Sequence, residues 1–304
     1  NPAVTGLTGT FQIKTTTTGD VKINEDTAVA GVTITAGALT SVSVTPASLV
    51  AGASGNVTVA FVNPNAIPTN GDVQVTFPSG FDLTGVGSTS ASSAADITGT
   101  LTASVSGQVL TVNLGSGLSA NTTVDDLIIA SVKNPVVSGA TGTFAIETQN
   151  ASDVKIDEGT GAAVTITAGS LSSTSVTPAS LTVNAAGNNT VAFTTANAIP
   201  ADGKIVVTFP SGFTLSSGGA TAASSASNID GTLTAAVSGQ VVTVTRSGGT
   251  SSAAGSKSFV LSNIKNPAVT GSTGTFQIKT TNASDATIDQ DTSVAAVTIT
   301  AGAL

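Results

Sequence analysis

Residues 101–112, LTASVSGQVLTV, alternate apolar and polar side chains on either side of Ser106-Gly107. Alternation with a period of two is typical of a half-buried β-strand. Two residues ending in glycine between such runs predict a tight hairpin, because the turn needs a positive φ. The centre of the stretch, VSGQV, occurs at 105–109 and again at 237–241. The hairpin therefore belongs to a repeated unit.

Three further motifs recur at the same offset of 132 residues. They are SVTPASL at 43–49 and 175–181, NAIP at 65–68 and 197–200, and VTFPSGF at 75–81 and 207–213. A period of this length suits one domain per repeat. We call the block that carries these motifs the front, which spans residues 40–133 and 172–265.

A shorter block, the tail, occurs three times. Residues 1–39 return at 266–304 with 29 identities in 39 positions, and a more diverged copy spans 134–171. The chain thus reads tail, front, tail, front, tail. SVSVT and STSVT look like opening strands after a loose AGAL or AGSL link. We therefore predict two β-sandwich repeats, 40–171 and 172–304, and a surplus N-terminal tail segment, 1–39.

Turn residues separate many short runs with strand character. The further predicted strands are residues 56–62, 72–77, 122–132, 143–147 and 164–168, of which 122–132 has the least regular pattern. No apolar stripe of helical period extends beyond a turn or two. This pattern predicts an all-β fold of two tandem antiparallel Ig-like, Greek-key β-sandwiches. Phe77 with Phe81, and Phe209 with Phe213, are predicted to plug the core at a sheet end.

The composition removes most kinds of catalytic site. The 304 residues include no Cys, Met, Trp, Tyr or His, only 9% are charged, and 52 Thr with 37 Ser supply most of the polarity. Without His and Cys, the commonest general base and the strongest nucleophile at neutral pH are absent, and thiolate or imidazole zinc sites cannot form. Asp125 and Asp126 are expected on opposite faces of a strand, which makes them a poor acid–base pair. We predict neither enzyme activity nor a cofactor.

Two classes of partner are also disfavoured. A net charge of −8 has the wrong sign for a nucleic-acid backbone. No apolar run approaches the length of about 18 residues that indicates a membrane-spanning helix. We therefore predict no nucleic-acid partner and no membrane span.

An acidic loop recurs in every tail, and its oxygen ligands are of the kind that Ca²⁺ prefers. The candidates are Asp20 and Asp26 in the first tail, Asp153 and Asp157 in the second, and Asp285, Asp289 and Asp291 in the third. Their spacing matches no familiar calcium loop, and Gly159 stands in the second tail where Asp26 stands in the first. Solvated turn residues are the expected interpretation, so no metal is predicted.

Five N-x-[ST] sequons offer attachment sites for covalent glycans: Asn56, Asn121, Asn150, Asn188 and Asn282. Two pairs lie at equivalent repeat positions, in turn-like contexts such as SGNVT and QNAS, where a glycan would face solvent. Chance sequons are also common in a chain so rich in Ser and Thr, and duplication copies them.

The order SVTPASL, NAIP, VTFPSGF, VSGQV, KNP, GTF, VTITAG resembles the Ig-like β-sandwich repeats of long extracellular bacterial surface and adhesin-type proteins. It is also similar to the two-domain subunits of helical extracellular fibrils from environmental water. Either resemblance implies a structural or adhesive role, an extracellular or cell-surface location, end-to-end assembly and sugar coating. Neither implies an active site.

The surplus tail leaves three explanations open. Its strand-like pieces, 10–14 and 31–35, would expose edges and apolar faces if they stood alone. The chain is a window on a longer array, or the tail docks on a neighbouring subunit by strand addition, or the tail packs beside the first domain as a small extra sheet.

The leading functional hypothesis is a structural subunit of an extracellular filament or surface array. Such a subunit would form a head-to-tail homopolymer, with residues 1–39 docking on a neighbour. The alternative is an adhesin stalk, or a glycan- or ligand-binding β-sandwich module.

Overall fold

The computed structural model describes residues 1–303; Leu304, the predicted end of the second repeat, lies outside them. All regular elements assigned in this range are β-strands. The described residues therefore contain no helix that could cross a membrane. The prediction of an all-β chain is confirmed.

The 28 strands follow the tail and front blocks. The first tail contains β1 (Gly6–Leu7), β2 (Phe11–Thr16), β3 (Lys22–Val29), β4 (Thr33–Ile34) and β5 (Gly37–Ala38). The first front and the second tail contain β6 (Thr40–Pro46), β7 (Ser54–Asn63), β8 (Gly71–Thr76), β9 (Ala91–Ser92), β10 (Leu101–Ser106), β11 (Val109–Leu114), β12 (Thr122–Lys133), β13 (Gly139–Ala140), β14 (Phe144–Gln149), β15 (Lys155–Gly161), β16 (Thr165–Ile166) and β17 (Gly169–Ser170). The second front and the third tail contain β18 (Ser172–Pro178), β19 (Ala186–Thr195), β20 (Lys204–Thr208), β21 (Ala223–Ser227), β22 (Thr232–Ser238), β23 (Val241–Ser247), β24 (Gly255–Lys265), β25 (Gly271–Ser272), β26 (Phe276–Thr281), β27 (Thr287–Val294) and β28 (Thr298–Ile299).

Each repeat is built from one six-stranded and one four-stranded sheet. The strand orders are β10-β11-β8-β14-β15-β5 with β6-β7-β12-β9, and β22-β23-β20-β26-β27-β17 with β18-β19-β24-β21. Neighbouring strands often come from distant parts of the chain, as Greek-key connections require. The ladders are antiparallel except at one edge, where β5 joins β15, and β17 joins β27, in parallel. The prediction of two tandem Ig-like sandwiches with an extra N-terminal strand segment is confirmed, with this parallel edge strand as an addition.

The residues of the middle tail are divided between two compact units. Unit 1 consists of Asn1–Ser48, Ser54–Lys133 and Thr141–Val164, and unit 2 consists of Leu49–Ala53, Asn134–Ala140 and Thr165–Leu304. The hairpin β14–β15 of the middle tail therefore completes the first unit, whereas the two ends of that tail belong to the second. The first tail is part of unit 1.

Aromatic triads close the two cores. Phe77, Phe81 and Phe144 have ring centroids 5.4–5.6 Å apart, mostly edge to face. Their counterparts, Phe209, Phe213 and Phe276, repeat this arrangement at 5.4–5.5 Å. The predicted plug of two rings is confirmed, and the tail adds a third ring. Because aromatic side chains contribute strongly to a core, the tail is an integral part of each sandwich.

The hairpin that defines the repeat turns one residue later than its sequence predicts. Ser106 pairs with Val109, so the turn consists of Gly107, with φ 61°, and Gln108. Gln108 Nε2 donates a hydrogen bond of 3.1 Å to the Phe81 carbonyl oxygen. This bond ties the turn to the Phe cluster.

Two register shifts in β12 explain its irregular sequence pattern. They lie between Val124 and Leu127 and between Ile129 and Val132. Asp125 and Asp126 occupy the first bulge, so the strict alternation expected for them does not apply. Asp126 accepts hydrogen bonds from the Ala94 and Ala95 amides and from Ser93 Oγ. Burial raises the pKa of Asp126, but these bonds outweigh it and bring that pKa below its ordinary value.

Arg246 stands in the second repeat where Leu114 stands in the first, and both side chains are buried. Its guanidinium donates to four loop carbonyl oxygens, those of Ile199, Pro200, Asp230 and Thr250. Five such bonds use all five guanidinium N–H groups. Arg246 therefore holds loops together and has no donor left for a ligand.

The first tail repeats the sequence of a core strand without its cover. Phe11 and Ile13 are 47% and 59% exposed, whereas the equivalent Phe276 and Ile278 are 0% and 1% exposed. All six residues of β2 are exposed. The N-terminal hairpin, defined as β2 with β3, thus presents an apolar face that a front covers elsewhere in the chain.

The two equivalent phenylalanines allow a matched test. Phe276→Ala should lower the free energy of unfolding of the second repeat by about 3–5 kcal/mol, because it empties a packed aromatic site. Phe11→Ala should change the free energy of unfolding of the first repeat, to which the first tail belongs, by less than about 0.5 kcal/mol, as expected for an exposed position. Chemical denaturation of the full chain measures both. Equal losses for the two variants would contradict this assignment of the two tails.

Candidate functional site: the clamped edge strand

The last residues of each preceding tail form the outermost strand of a six-stranded sheet. β5 pairs with β15 at Gly37↔Asp157 and Ala38↔Glu158, and the Leu39 amide donates to the Glu158 carbonyl at 2.9 Å. One repeat later, β17 pairs with β27 in the same register. The segment that links two blocks in sequence is therefore also a structural strand.

A buried carboxylate marks the point where this strand docks. Asp157 is 0% exposed and its Oδ1 accepts a hydrogen bond of 2.6 Å from Asn65 Nδ2. In the second repeat, Asp289 is also 0% exposed, and it accepts bonds of 2.8 Å from both the backbone N and Nδ2 of Asn197. A buried carboxylate is costly unless it is hydrogen-bonded, so each Asp depends on its Asn. We call these two pairs the Asp–Asn clamps.

The clamps require glycine in the edge strand. A Cβ atom at Gly37 would overlap Asp157 Oδ1, and one at Gly169 would overlap Asp289 Oδ1. The backbone therefore packs directly on the clamp. This close approach accounts for the glycine of AGAL and AGSL.

Sequence reasoning did not identify the clamps, although two signals were present. The recurring NAIP motif supplies Asn65 and Asn197, and the recurring AG dipeptide supplies the two glycines. What the sequence does not show is that the asparagine of NAIP meets an aspartate 92 residues later in the chain, against that glycine.

Gly169→Ala should expel β17 from the clamp and lower the free energy of unfolding of the second repeat. The expected loss is about 1–3 kcal/mol, the usual cost of overpacking a tight site. Gly302→Ala is the matched control, because a Cβ there would lie 3.4 Å from Thr182 Cγ2, an ordinary contact. Thermal unfolding of both variants checks this expectation, and a similar loss at Gly302 would contradict it.

The predicted calcium candidates serve three different structural purposes. Asp157 and Asp289 form the clamps. Asp20, Asp153 and Asp285 occupy left-handed positions in the hairpin turns, with φ of 57°, 59° and 65°. Asp26 and Asp291 each accept a hydrogen bond from a backbone N–H two residues later, at 2.8 and 2.9 Å. Within residues 1–303, no three His, Cys, Asp or Glu side chains come together in a way that could hold a metal ion.

The glycosylation candidates occupy strands as well as turns. Asn56 and Asn188 lie inside β7 and β19, so the turn-like context expected for them is wrong, although both are exposed. Asn121 is exposed at a left-handed position, with φ 59°. Asn150 and Asn282 hold hairpin turns with Oδ1, which accepts backbone N–H bonds of 2.9–3.0 Å. Glycosylation at these five positions stays a prediction.

The outer sheet faces of the two repeats differ in charge at the equivalent positions 72 and 204. In the second repeat, Lys204 Nζ lies 2.7 Å from Asp285 Oδ1. In the first, Asp72 replaces the lysine and faces Asp153. Burial raises the pKa of Asp72, and the negative charge of Asp153 raises it further, against a hydrogen bond from Asn113 that lowers it.

Asp72→Asn should stabilise the first repeat at pH 7. A carboxyl group with a raised pKa in the folded state binds its proton more tightly there than in the unfolded chain, so its ionisation opposes folding. The gain should therefore shrink as pH falls through the raised pKa and vanish below the ordinary value of 3.8. Thermal midpoints between pH 2.5 and 8 measure it, and a gain that persists at the lowest pH would contradict this cause.

Comparisons with known proteins find likeness in structure alone. No family model and no curated protein sequence matches the chain. A protein of Corynebacterium diphtheriae described as membrane-anchored is 10% identical, with 86% of this chain and 91% of that chain covered and a TM-score of 0.26. The collagen-binding domain of the Erysipelothrix rhusiopathiae surface protein RspB is 14% identical, with 88% and 97% covered and a TM-score of 0.27. The collagen adhesin of S. aureus is 11% identical, with 88% and 95% covered and a TM-score of 0.22. The last two of these structures come from a surface protein and an adhesin.

Proposed function

We propose that this chain is a non-enzymatic structural module of an extracellular or cell-surface protein, in which sandwich repeats follow one another in series as a stalk. The clamped edge strand is the observation that carries the proposal. Each six-stranded sheet is completed by the end of the tail before it, so each front depends on the tail residues that precede it in the chain. Such a design suits a linear series of repeats.

The burial and hydrogen bonding of two aspartates support a structural role. The buried carboxylates of Asp157 and Asp289 are held by amides of Asn65 and Asn197. A general acid or base needs access to its substrate, whereas these groups face the backbone of an edge strand. Their hydrogen bonds hold the edge strand in place.

The direction of the edge strand supports a role under tension. β5 and β15 run parallel, β5 at the N-terminal side of the repeat and β15 near its C-terminal side. Pulling the chain from both ends would slide these strands past each other, so that their hydrogen bonds carry the load together. The Asp–Asn clamp lies at this contact and would resist the sliding.

The test is forced unfolding of the full chain held at both ends. We expect two unfolding events, one for each repeat. Asn65→Ala should lower the force of one event and Asn197→Ala that of the other, because each removes the side-chain amide that donates a hydrogen bond to a buried carboxylate. The double variant should lower both. Unchanged forces in both single variants would show that the edge strands do not carry tension.

A second candidate is a filament subunit whose N-terminal segment docks on a neighbouring subunit. It is favoured by one observation, the exposed apolar face of the N-terminal hairpin with Phe11, Ile13 and Ile23. Contiguous exposed apolar residues are typical of interfaces. Electron microscopy of the purified chain separates the candidates: regular fibres support the filament, and monomers at high concentration support the stalk.

A further inference from the structure

The N-terminal hairpin exposes a sequence that is buried where it recurs in the third tail. Residues 8–16, TGTFQIKTT, are identical to residues 273–281. The second copy contains β26, whose Phe276, Ile278 and Thr280 are buried in the second sandwich. The first copy contains β2, whose residues are all exposed.

The surface that covers β26 belongs to the second front. β20 pairs with β26 at Thr208↔Gln277 and Val206↔Lys279, and Phe209 and Phe213 pack on Phe276. We call this surface of residues 172–265 the repeat-2 groove. Because β2 has the sequence of β26, the groove matches β2 residue by residue.

We propose that the N-terminal hairpin of one copy binds the repeat-2 groove of a second copy, in exchange with residues 273–294 of that second copy. The proposal rests on the filament candidate and names its acceptor surface. The donor and acceptor surfaces of one chain differ, so the contact is heterologous and can propagate into an open series. Exchange of equivalent elements between copies is a low-cost route to association.

Charge favours the repeat-2 groove over the equivalent surface of the first front. Asp20 is the counterpart of Asp285, which pairs with Lys204 at 2.7 Å. In the repeat-2 groove, Asp20 would take over this ion pair. On the first front it would face Asp72, where a carboxylate already raises the pKa of its neighbour. Repulsion between two like charges in contact therefore disfavours binding of the hairpin to the first front.

One position opposes the exchange. Asn24 is the counterpart of Asp289, whose two oxygens accept hydrogen bonds from Asn197. An amide has one acceptor oxygen, so an exchanged hairpin would lose one bond of the clamp. The resident tail also has the advantage of being tethered to its own groove. The extent of exchange therefore depends on the protein concentration and on how tightly residues 273–294 bind their own groove.

The test is a disulfide trap between two full-length variants, in a chain without native cysteine. Gln12→Cys places one thiol on the hairpin, and Thr208→Cys places the other at the position that pairs with its counterpart, Gln277. Mixing the two variants under mild oxidation makes a 12–208 disulfide possible only between two copies. Mass spectrometry identifies the bond.

Three variants serve as controls. Thr76→Cys is the equivalent acceptor position in the first repeat, where Thr76 pairs with Ala145. The double variant Thr208→Cys/Gln277→Cys should close within one chain and shows that this position accepts a disulfide. Adding Phe276→Ala to the Thr208→Cys partner weakens the resident tail and should increase the 12–208 yield.

Asn24→Asp supplies a readout that non-specific apolar adhesion would not move. Asn24 is exposed in the free chain. In the exchanged state, an aspartate restores the second clamp bond, so the 12–208 yield should rise about fivefold, the ratio expected for one net hydrogen bond.

The proposal is supported if 12–208 exceeds 12–76 and responds to both Phe276→Ala and Asn24→Asp. It is overturned if 12–208 does not exceed 12–76 in either background while the 208–277 bond closes. Fibres in the microscope without a 12–208 bond would overturn this acceptor and leave the filament candidate standing. Monomers without this bond would overturn both.

Discussion

The hydrogen-bonded carboxylate at the sheet edge is the interaction on which the arrangement of this chain depends. A buried carboxylate without partners would destabilise the fold, so Asp157 requires Asn65, and the pair leaves room only for glycine at Gly37. The three residues come from a tail, a front and the preceding tail. No one of these segments can satisfy the site alone. The clamp thus couples blocks that are far apart in sequence and fixes the position of the end of the first two tails.

The two repeats show which features this constraint leaves free. The clamps and the Phe triads are present in both. Leu114 becomes Arg246 at the end of an inner strand, where the guanidinium takes up loop carbonyls, and Asp72 becomes Lys204 on an outer face. The Phe triads and the clamped edge are thus common to the two copies, while a buried strand end and an outer face differ. This distribution fits a scaffold that depends on its clamped sheet edge and on the Phe triad at the end of its core.

The sequence predicts local features well and convergent ones poorly. Alternation and turn residues predict the strands, and the VTFPSGF motif predicts the pairing of Phe77 with Phe81, because both effects act over a few residues. Gln108 lies in the turn and bonds to Phe81, which is distant in sequence, and β12 contains bulges that alternation cannot reveal. The clamps are less accessible still, since Asn and Asp approach each other only after the sheets have formed. Every acidic residue in the tails looked alike in sequence, and burial alone separates the clamp members from the turn residues.

The three tails place one sequence in two environments, and their differences are informative. At the clamp position the two covered tails carry Asp157 and Asp289, whereas the uncovered tail carries Asn24. An aspartate has no advantage there without the amide of a front. Phe11 and Ile13 nevertheless remain in the uncovered tail, although exposed apolar side chains gain nothing from solvent. The first tail therefore has the apolar face of the covered tails but lacks their clamp aspartate. A surface that binds the N-terminal hairpin would be stabilised more by burial of this apolar face than by a clamp.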